Sequence, residues 1–284
     1  MLGAGSDEHR EAELDLLLES IRAGYGYDFT RYARGTLRRR LSHFLVKSKL
    51  DSLEMLRSAI AGDGALFAGL LDHLTVQVSE MFRDPEFYIA LRRNVAPFLR
   101  TYGCLKLWIA GCASGEEAHS AVIVLHEEGL LARSIVYATD VSPEAVRRGR
   151  EGIYPAERIR QYADSYHRAG GTGSFTSYFT VAHGYAAIRP CLTRNLHFAE
   201  HNLVCDEVFG EMNAILCRNV LIYFNRDLRD HALGLLGRSL GRGGFLCLGS
   251  RENLVLSGQG EGFEEVASGS KIYRRRFAFA GPPA

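Results

Sequence analysis

The chain has 284 residues, a net charge of +1, 46% hydrophobic residues and 24% charged residues. This composition is ordinary for a soluble globular protein of one or two domains, and the balanced charge excludes a global electrostatic drive toward nucleic acid or membranes. No apolar run approaches the roughly 18 residues of a membrane span, and the polar N-terminus is unlike a secretory signal, so we expect a cytoplasmic protein with no membrane insertion.

The six cysteines include no C-x-x-C pair, and most fall in apolar, strand-like runs. Cysteine in such runs acts as a small hydrophobic side chain, so we expect free thiols. Two histidines, His197 and His201, have a helical i, i+4 spacing, but their surroundings look like a strand and its exit. We therefore expect no metal site.

The first hundred residues have helical periodicity and no strand pattern. The segment 31–49 contains seven Lys or Arg residues and no acid, while Leu37, Leu41 and Phe44 form its apolar stripe. A solvated charged face is one interpretation, but the single sign of charge favours an acidic partner, either protein or nucleic acid. The sequence predicts an N-terminal helical domain over 1–84 that contains this basic helix.

A helix is predicted from an N-cap at Asp84, with Pro85 at its first position, to about residue 100. Strands and helices then alternate from Leu105 in the manner of βαβ units, which predicts a doubly wound α/β domain over 85–284. The region of about 165–200 breaks this alternation with glycines and short alternating runs, so we predict a small antiparallel β insertion there.

The turn 110–115 follows the first predicted strand and contains only small side chains, among them Gly111. The next strand ends at Asp140, where doubly wound folds place a carboxylate that binds ribose hydroxyls. The turn lacks the G-x-G-x-x-G of dinucleotide sites, and Glu116 and Glu117 would repel a pyrophosphate. They suit a cationic adenosine cofactor such as S-adenosylmethionine, although acids at a helix N-terminus also complement the helix dipole.

Several motifs occur together and in order. They are Q-V-S-E-M-F-R at 77–83, W-I-A-G-C-A-S-G-E-E-A-H-S at 108–120, G-I-Y at 152–154, H-N-L at 201–203 and C-R-N-V-L-I-Y-F at 217–224. Over roughly residues 25–275 the chain resembles the CheR-type chemotaxis-receptor glutamate O-methyltransferases. The resemblance implies a class I methyltransferase, Rossmann-like sheet, preceded by a small all-helical domain and carrying a small antiparallel insertion.

The resemblance also implies a set of site residues. The cofactor contacts would be Gln77, Ser79, Arg83, Gly111, Glu117, Asp140, Asn202, Leu203, Arg218 and Asn219, and the catalytic residues flanking the methyl group would be Arg83 and Tyr223. The substrate would dock on the basic helix, where it would bind Arg34, Arg38, Arg39 and Arg40. No metal is implied, and the product would be S-adenosylhomocysteine.

Three departures from the family pattern bear on these assignments. Gln77 and Ser79 stand where the family usually has Asn and Thr, and His119 stands where a Tyr is common. The insertion lacks the longer glycine-rich loop of members that dock on a receptor pentapeptide, so the sequence leaves tethering to such a peptide open.

The implied partner is the glutamate-bearing cytoplasmic helical region of chemoreceptors, with response regulators or other chemosensory proteins as further partners and no nucleic acid. Two alternatives stay open at this stage. One is a module that senses S-adenosylmethionine or S-adenosylhomocysteine without transferring a methyl group. The other is a methyltransferase that acts on RNA or a small molecule.

Overall fold

The computed structural model describes residues 4–75, 79–254, 258 and 260–276. The chain divides into two compact units, one formed by 1–77 with 223–229 and the other by 78–222 with 230–284. The domain boundary predicted after residue 84 stays a prediction. Gln77 lies outside the described residues.

The first unit is helical, as predicted. Its helices are α1 (Ala4–Tyr25), α2 (Arg34–Ser48), α3 (Leu53–Ile60) and α4 (Gly64–Leu74). Helix α3 begins where the Ser52 hydroxyl accepts a hydrogen bond from an amide of its first turn, and Asp63 caps α4 in the same way, since these side chains supply acceptors that a helix start lacks. The apolar faces of the four helices share one buried core that includes Leu17, Leu41 and Phe67.

The second unit alternates strands and helices. Its helices are α5 (Pro85–Ala90), α6 (Ala96–Leu99), α7 (Glu116–Glu127), α8 (Pro143–Glu151), α9 (Ala156–Arg168) and α10 (Pro190–Thr193), while α11 (Arg226–Ser239) starts in the segment that belongs to the first unit. A π-helical turn, Leu91–Val95, joins α5 to α6, so the helix predicted to reach residue 100 is present but irregular. The helix begins as predicted, with Asp84 at the N-cap position and Pro85 in its first turn, but the Asp84 side chain makes no capping hydrogen bond and binds Arg218 instead.

The main sheet of the described residues has seven strands. They are β1 (Leu105–Ala110), β2 (Ser134–Asp140), β6 (Leu196–Glu200), β7 (Met212–Cys217), β8 (Leu240–Leu248), β9 (Phe263–Glu265) and β10 (Ile272–Arg275). Their order in the sheet is β6-β2-β1-β7-β8-β10-β9. The first five strands of this order are parallel, and β10 is antiparallel to both of its neighbours. The strand order reverses direction between β1 and β7. The Rossmann-like, doubly wound sheet is confirmed, and in such sheets ligands bind beyond the carboxyl ends of the strands at this switch point.

A separate antiparallel sheet consists of β3 (Ile153–Pro155), β4 (Phe179–Ala182) and β5 (Tyr185–Ile188) in the order β3-β5-β4. The predicted insertion is therefore present, but its sheet starts at residue 153 and ends at 188, whereas 196–200 is a strand of the main sheet. The strand β3 escaped prediction because three residues are too few to show alternation.

No helix within the described ranges is both long enough and apolar enough to span a bilayer. All six cysteines are free, and Cys112, Cys217 and Cys247 are buried. Burial raises the pKa of each of these three thiols, which keeps them protonated and unreactive.

Substitution of two glycines, one at each end of α7, tests how closely α7 approaches α8. Gly115 and Gly129 both have positive φ, 91° and 69°, but only at Gly115 would a Cβ lie 2.8 Å from the Gly149 backbone. Gly115→Ala should destabilise the protein by about 1–3 kcal/mol more than Gly129→Ala, because only the former adds overlap to the backbone strain. Urea unfolding measures both, and equal losses would contradict the close approach.

Candidate active site

The turn after β1 is fixed by the end of β2. The amides of Gly111 and Cys112 both donate to the Thr139 carbonyl at 2.8 and 2.9 Å, and the Ala113 amide donates to Asp140 Oδ2 at 2.9 Å. Gly111 has a φ of 73°, and a Cβ there would lie 2.4 Å from a methyl of Val220. Only glycine therefore allows this turn to pack against the loop after β7.

Asp140 organises the edge of the sheet next to the switch point. Its Oδ1 accepts a hydrogen bond from the Ser142 amide at 3.0 Å, and its carbonyl accepts one from the His201 amide at 3.1 Å. A carboxylate offers about four lone-pair positions, so a side chain of this type can accept several hydrogen bonds at once. The amides of Ala113 and Ser142 thus hold the Asp140 side chain in place.

The two acids at the start of α7 have different environments. Glu116 is buried and accepts a hydrogen bond from the Ser114 hydroxyl, and burial raises the pKa of its carboxyl. Glu117 is also buried, and its Oε1 accepts a hydrogen bond from Arg218 at 2.6 Å. Glu116 thus stabilises its own turn, whereas Glu117 faces the loop after β7.

Arg218 lies at the centre of a buried charge network. Besides Glu117, its guanidinium donates to Asp84 Oδ2 at 2.8 Å and to the Arg83 carbonyl at 3.2 Å, and it stacks on the Phe87 ring at 4.0 Å. Burial alone would lower the pKa of Arg218, but the attraction of Glu117 and of other nearby groups raises it. Arg218 therefore stays charged and ties the segment before α5 to α7.

Arg83 extends from a strained segment that α7 also holds. Its neighbours Phe82 and Asp84 have left-handed φ values of 55° and 54°, and the Phe82 amide donates to the Ser120 hydroxyl at 3.0 Å. The Arg83 side chain is exposed. Such strain is kept only where the surroundings enforce it, and it concentrates at functional sites. Ser79, four residues earlier, is partly buried.

The loop after β6 contains the other predicted adenosine contacts. The Asn202 side-chain oxygen accepts a hydrogen bond from the Val204 amide at 3.0 Å, and the Asp206 carboxylate accepts one from the Asn202 amide at 2.8 Å. Leu203 is buried. Because the side-chain oxygen of Asn202 is engaged in its own turn, its amide nitrogen is the group left to donate to a ligand.

Three residues near these loops were not identified from the sequence. Ser120 anchors Phe82, Asp84 pairs with Arg218, and the buried Glu252 accepts backbone hydrogen bonds from the loop after β7. Ser120 lies within the motif at 108–120. No motif or residue spacing in the sequence shows that Glu252 is buried while its neighbour Arg251 is exposed.

The small sheet contributes one side chain to the turn after β1. The Tyr154 hydroxyl donates to the Ser114 carbonyl at 3.0 Å and lies 2.6 Å from His119 Nδ1. The Tyr154 hydroxyl has one proton, which it donates to the Ser114 carbonyl. It must therefore accept the hydrogen bond from His119, so Nδ1 of the His119 ring carries a proton. Burial lowers the pKa of His119 to about 3, so the ring is neutral.

The remaining predicted residues belong to the first unit. The carbonyl of Tyr223 accepts a hydrogen bond from the Ala33 amide at 2.9 Å, and the Arg40 guanidinium lies 5.8 Å from the centre of the Tyr223 ring. Arg40 also donates to the His73 carbonyl at 2.6 Å, which fixes its side chain. Tyr223 is therefore packed against the basic helix α2.

The four predicted docking arginines differ in availability. Arg34 pairs with Asp15 at 2.5 Å, and Arg38 pairs with Glu11, both on α1. Arg39 is exposed and forms no ion pair within the described residues. The acids of α1 thus neutralise part of a charge that the sequence of α2 alone left unbalanced.

A cavity of about 410 Å³ adjoins Arg218 in the second unit. The residues that line it include the polar Ser250, Ser270 and Lys271 and the apolar Phe87 and Leu248. This volume is within the range of small-ligand pockets. In the described part of the chain, no group of three or more His, Cys, Asp or Glu side chains is arranged to hold a metal ion.

A double-mutant cycle measures the buried pair. Arg218→Met should destabilise the protein by about 3 kcal/mol, because it leaves Glu117 buried without its partner. The double mutant Arg218→Met/Glu117→Gln should lose less stability than the sum of the losses in the two single mutants. The control, Arg147→Met, breaks exposed pairs with Glu144 and Glu151 and should change the unfolding midpoint little. Strict additivity in the cycle would show that the pair contributes nothing.

Comparison with known proteins supplies an independent result. The CheR methyltransferase all-alpha domain matches residues 12–75, and the CheR methyltransferase S-adenosylmethionine-binding domain matches 77–271. "Putative methyltransferase Cher3" of Pseudomonas putida is 43% identical over 95% of this chain and 99% of its own length. A "Chemotaxis protein methyltransferase" of Listeria monocytogenes is 27% identical over 83% of this chain and 87% of its own.

Among solved structures, the N-methyltransferase NodS from Bradyrhizobium japonicum, in complex with S-adenosylhomocysteine, aligns with a TM-score of 0.40 and 15% identity, covering 69% of this chain and 89% of its own. The two family matches together span almost the whole described chain and agree with the helical unit and the doubly wound sheet. The chain belongs to the CheR methyltransferase family, whose larger domain binds S-adenosylmethionine.

Proposed function

We propose that the protein transfers a methyl group from S-adenosylmethionine to glutamate side chains in the cytoplasmic helical region of chemoreceptors, giving glutamate methyl esters and S-adenosylhomocysteine. The observation that carries this proposal is the convergence of Asp140, Glu117 and Arg218 at the carboxyl edge of a CheR-family sheet. Relatives named chemotaxis protein methyltransferase support the same pathway.

The residues at this edge suit the cofactor chemically. Asp140 ends β2, where doubly wound folds place the carboxylate that binds ribose hydroxyls, and the turn 110–115 has no side chain large enough to block a nucleoside. Glu117 supplies negative charge for the methionine ammonium, and Arg218 holds it in place. Asn202, Leu203 and Asn219 complete the proposed contacts in this unit, and Gly111 gives the backbone close access.

S-adenosylmethionine, when bound, supplies an electrophilic methyl group on a sulfonium. A glutamate acceptor with a pKa near 4.3 is ionised at neutral pH, so the protein needs no general base to prepare it. The task of the chain is then to orient the carboxylate and exclude water. Arg83 is suited to orient a carboxylate, and the Tyr223 hydroxyl offers a neutral hydrogen bond that does not overstabilise the reactant charge.

The exposed basic side chains of α2 suit an acidic receptor helix. Since Arg34 and Arg38 are paired with acids of α1, Arg39 is the predicted docking arginine most available to a partner. Ion pairing between exposed charges weakens with salt, so docking of this kind is sensitive to ionic strength.

The cavity beside Arg218 favours one alternative, a small-molecule acceptor, because about 410 Å³ is large enough for a small polar metabolite. The chemical nature of the product distinguishes the two functions. Carboxyl methyl esters hydrolyse in mild base, whereas N-methyl groups do not.

The first experiment incubates the protein with labelled S-adenosylmethionine and a fragment of the chemoreceptor helical region. Base-labile label should appear on the fragment, and Arg83→Ala should lower incorporation by roughly 100-fold through loss of orientation. The matched control is Arg93→Ala, an exposed arginine in the π-helical turn after α5, which should retain activity. Base-stable label would refute a carboxylate acceptor, and cofactor binding without transfer would indicate a sensor. Near-normal turnover in Arg83→Ala would remove Arg83 from the mechanism.

A second experiment tests docking. Arg39→Glu should raise the KM for the receptor fragment several-fold at low salt, with little change in kcat, because it reverses an exposed charge that forms no ion pair with the residues that the structure describes. Arg194→Glu reverses the charge of another exposed arginine, outside α2, and serves as the control. An unchanged KM for Arg39→Glu at low ionic strength would exclude this face of α2 as the docking surface.

A further inference from the structure

The strongest unexplained feature outside the predicted site is a buried carboxylate after β8. Glu252 is only 4% exposed. Its Oε1 accepts a hydrogen bond from the Leu221 amide at 2.7 Å, and its Oε2 accepts hydrogen bonds from the amides of Asn219 at 3.0 Å and Gly249 at 2.6 Å. One side chain thus satisfies three backbone donors from two separate loops.

Two of these donors belong to the loop after β7, which contains Arg218 and Asn219. Asn219 has a left-handed φ of 60°, which is uncommon outside glycine; asparagine adopts it more readily than most residues, but the surrounding contacts still have to select it. Buried amides also need an acceptor, since leaving one unpaired costs about 1–3 kcal/mol. Glu252 meets both needs, because its bonds to Asn219 and Leu221 flank the turn.

The loop after β8 is shaped to bring Glu252 there. A Cβ on Gly249 would lie 2.7 Å from the Asn219 amide nitrogen and 2.8 Å from Glu252 Oε2. Glycine at 249 therefore lets the two loops touch through backbone atoms. Both oxygens of Glu252 face N–H donors, so the carboxylate fits this place, whereas a carboxamide would turn its own N–H groups toward those donors.

We propose that Glu252 is a positioning residue for cofactor binding: it acts through the loop 218–222 to hold Asn219 in its binding conformation, without itself touching the ligand. The inference rests on the proposed function, because it takes Asn219 as a cofactor contact. It assigns to Glu252 a role in affinity separate from its contribution to stability.

The test measures S-adenosylhomocysteine binding by calorimetry, well below the unfolding midpoint of each variant. Glu252→Gln should weaken binding roughly tenfold or more, since a misplaced turn loses its hydrogen bonds to the ligand. Glu264→Gln makes the same charge change at an exposed position of β9 and should bind like the unmodified protein. If Glu252→Gln does not fold, Glu252→Asp, which keeps the charge but has a shorter reach, takes its place with the same expectation.

A double mutant separates positioning from bulk stability. If Glu252 acts through Asn219, then Glu252→Gln should add little to the loss of affinity caused by Asn219→Ala. Additive losses, or a folded Glu252 variant with unchanged affinity and only a lower Tm, would overturn the proposal. Absence of binding by the unmodified protein would instead refute the proposed function, so the two failures are distinguishable.

Discussion

The ion pairs of the buried Arg218 are the contacts on which the geometry of the carboxyl edge of the main sheet depends. A single guanidinium holds the start of α7 through Glu117 and the strained segment around Arg83 through Asp84 and a carbonyl. Charge buried in this way is seldom a net gain in stability, because desolvation offsets much of the attraction. Arg218 instead contributes to the geometry of the edge. It fixes the start of α7 and the segment around Arg83, which are far apart in the sequence, in position against the turn after β7.

Backbone strain follows the same pattern. Phe82, Asp84, Ala113 and Asn219 all have left-handed φ values, and all lie in segments that the Arg218, Asp140 or Glu252 contacts restrain. Strained conformations persist where neighbouring contacts over-determine them. The edge of the sheet is thus built in advance of any ligand, which reduces the ordering that binding would otherwise require.

Much of this architecture could be predicted from the sequence. The apolar runs at 105–110 and 134–140 and the small-residue turn between them are local signals, and they gave the doubly wound sheet and the position of Asp140 correctly. Features that depend on long-range contacts could not be predicted. The Asp84 side chain had the local pattern of a helix cap but binds Arg218, 134 residues away, and the acids that neutralise Arg34 and Arg38 lie on a different helix. Glu252 has no local signal because its role comes from the contact between two loops.

The hydrogen bond from Tyr154 to the Ser114 carbonyl has a consequence for how the family can vary. Because the same hydroxyl pairs with His119, a residue of the small sheet and a residue of α7 form one unit with the turn after β1. A member of the family with a different side chain at 119 must therefore satisfy the Tyr154 hydroxyl in another way, or the turn after β1 loses part of its anchor to the small sheet.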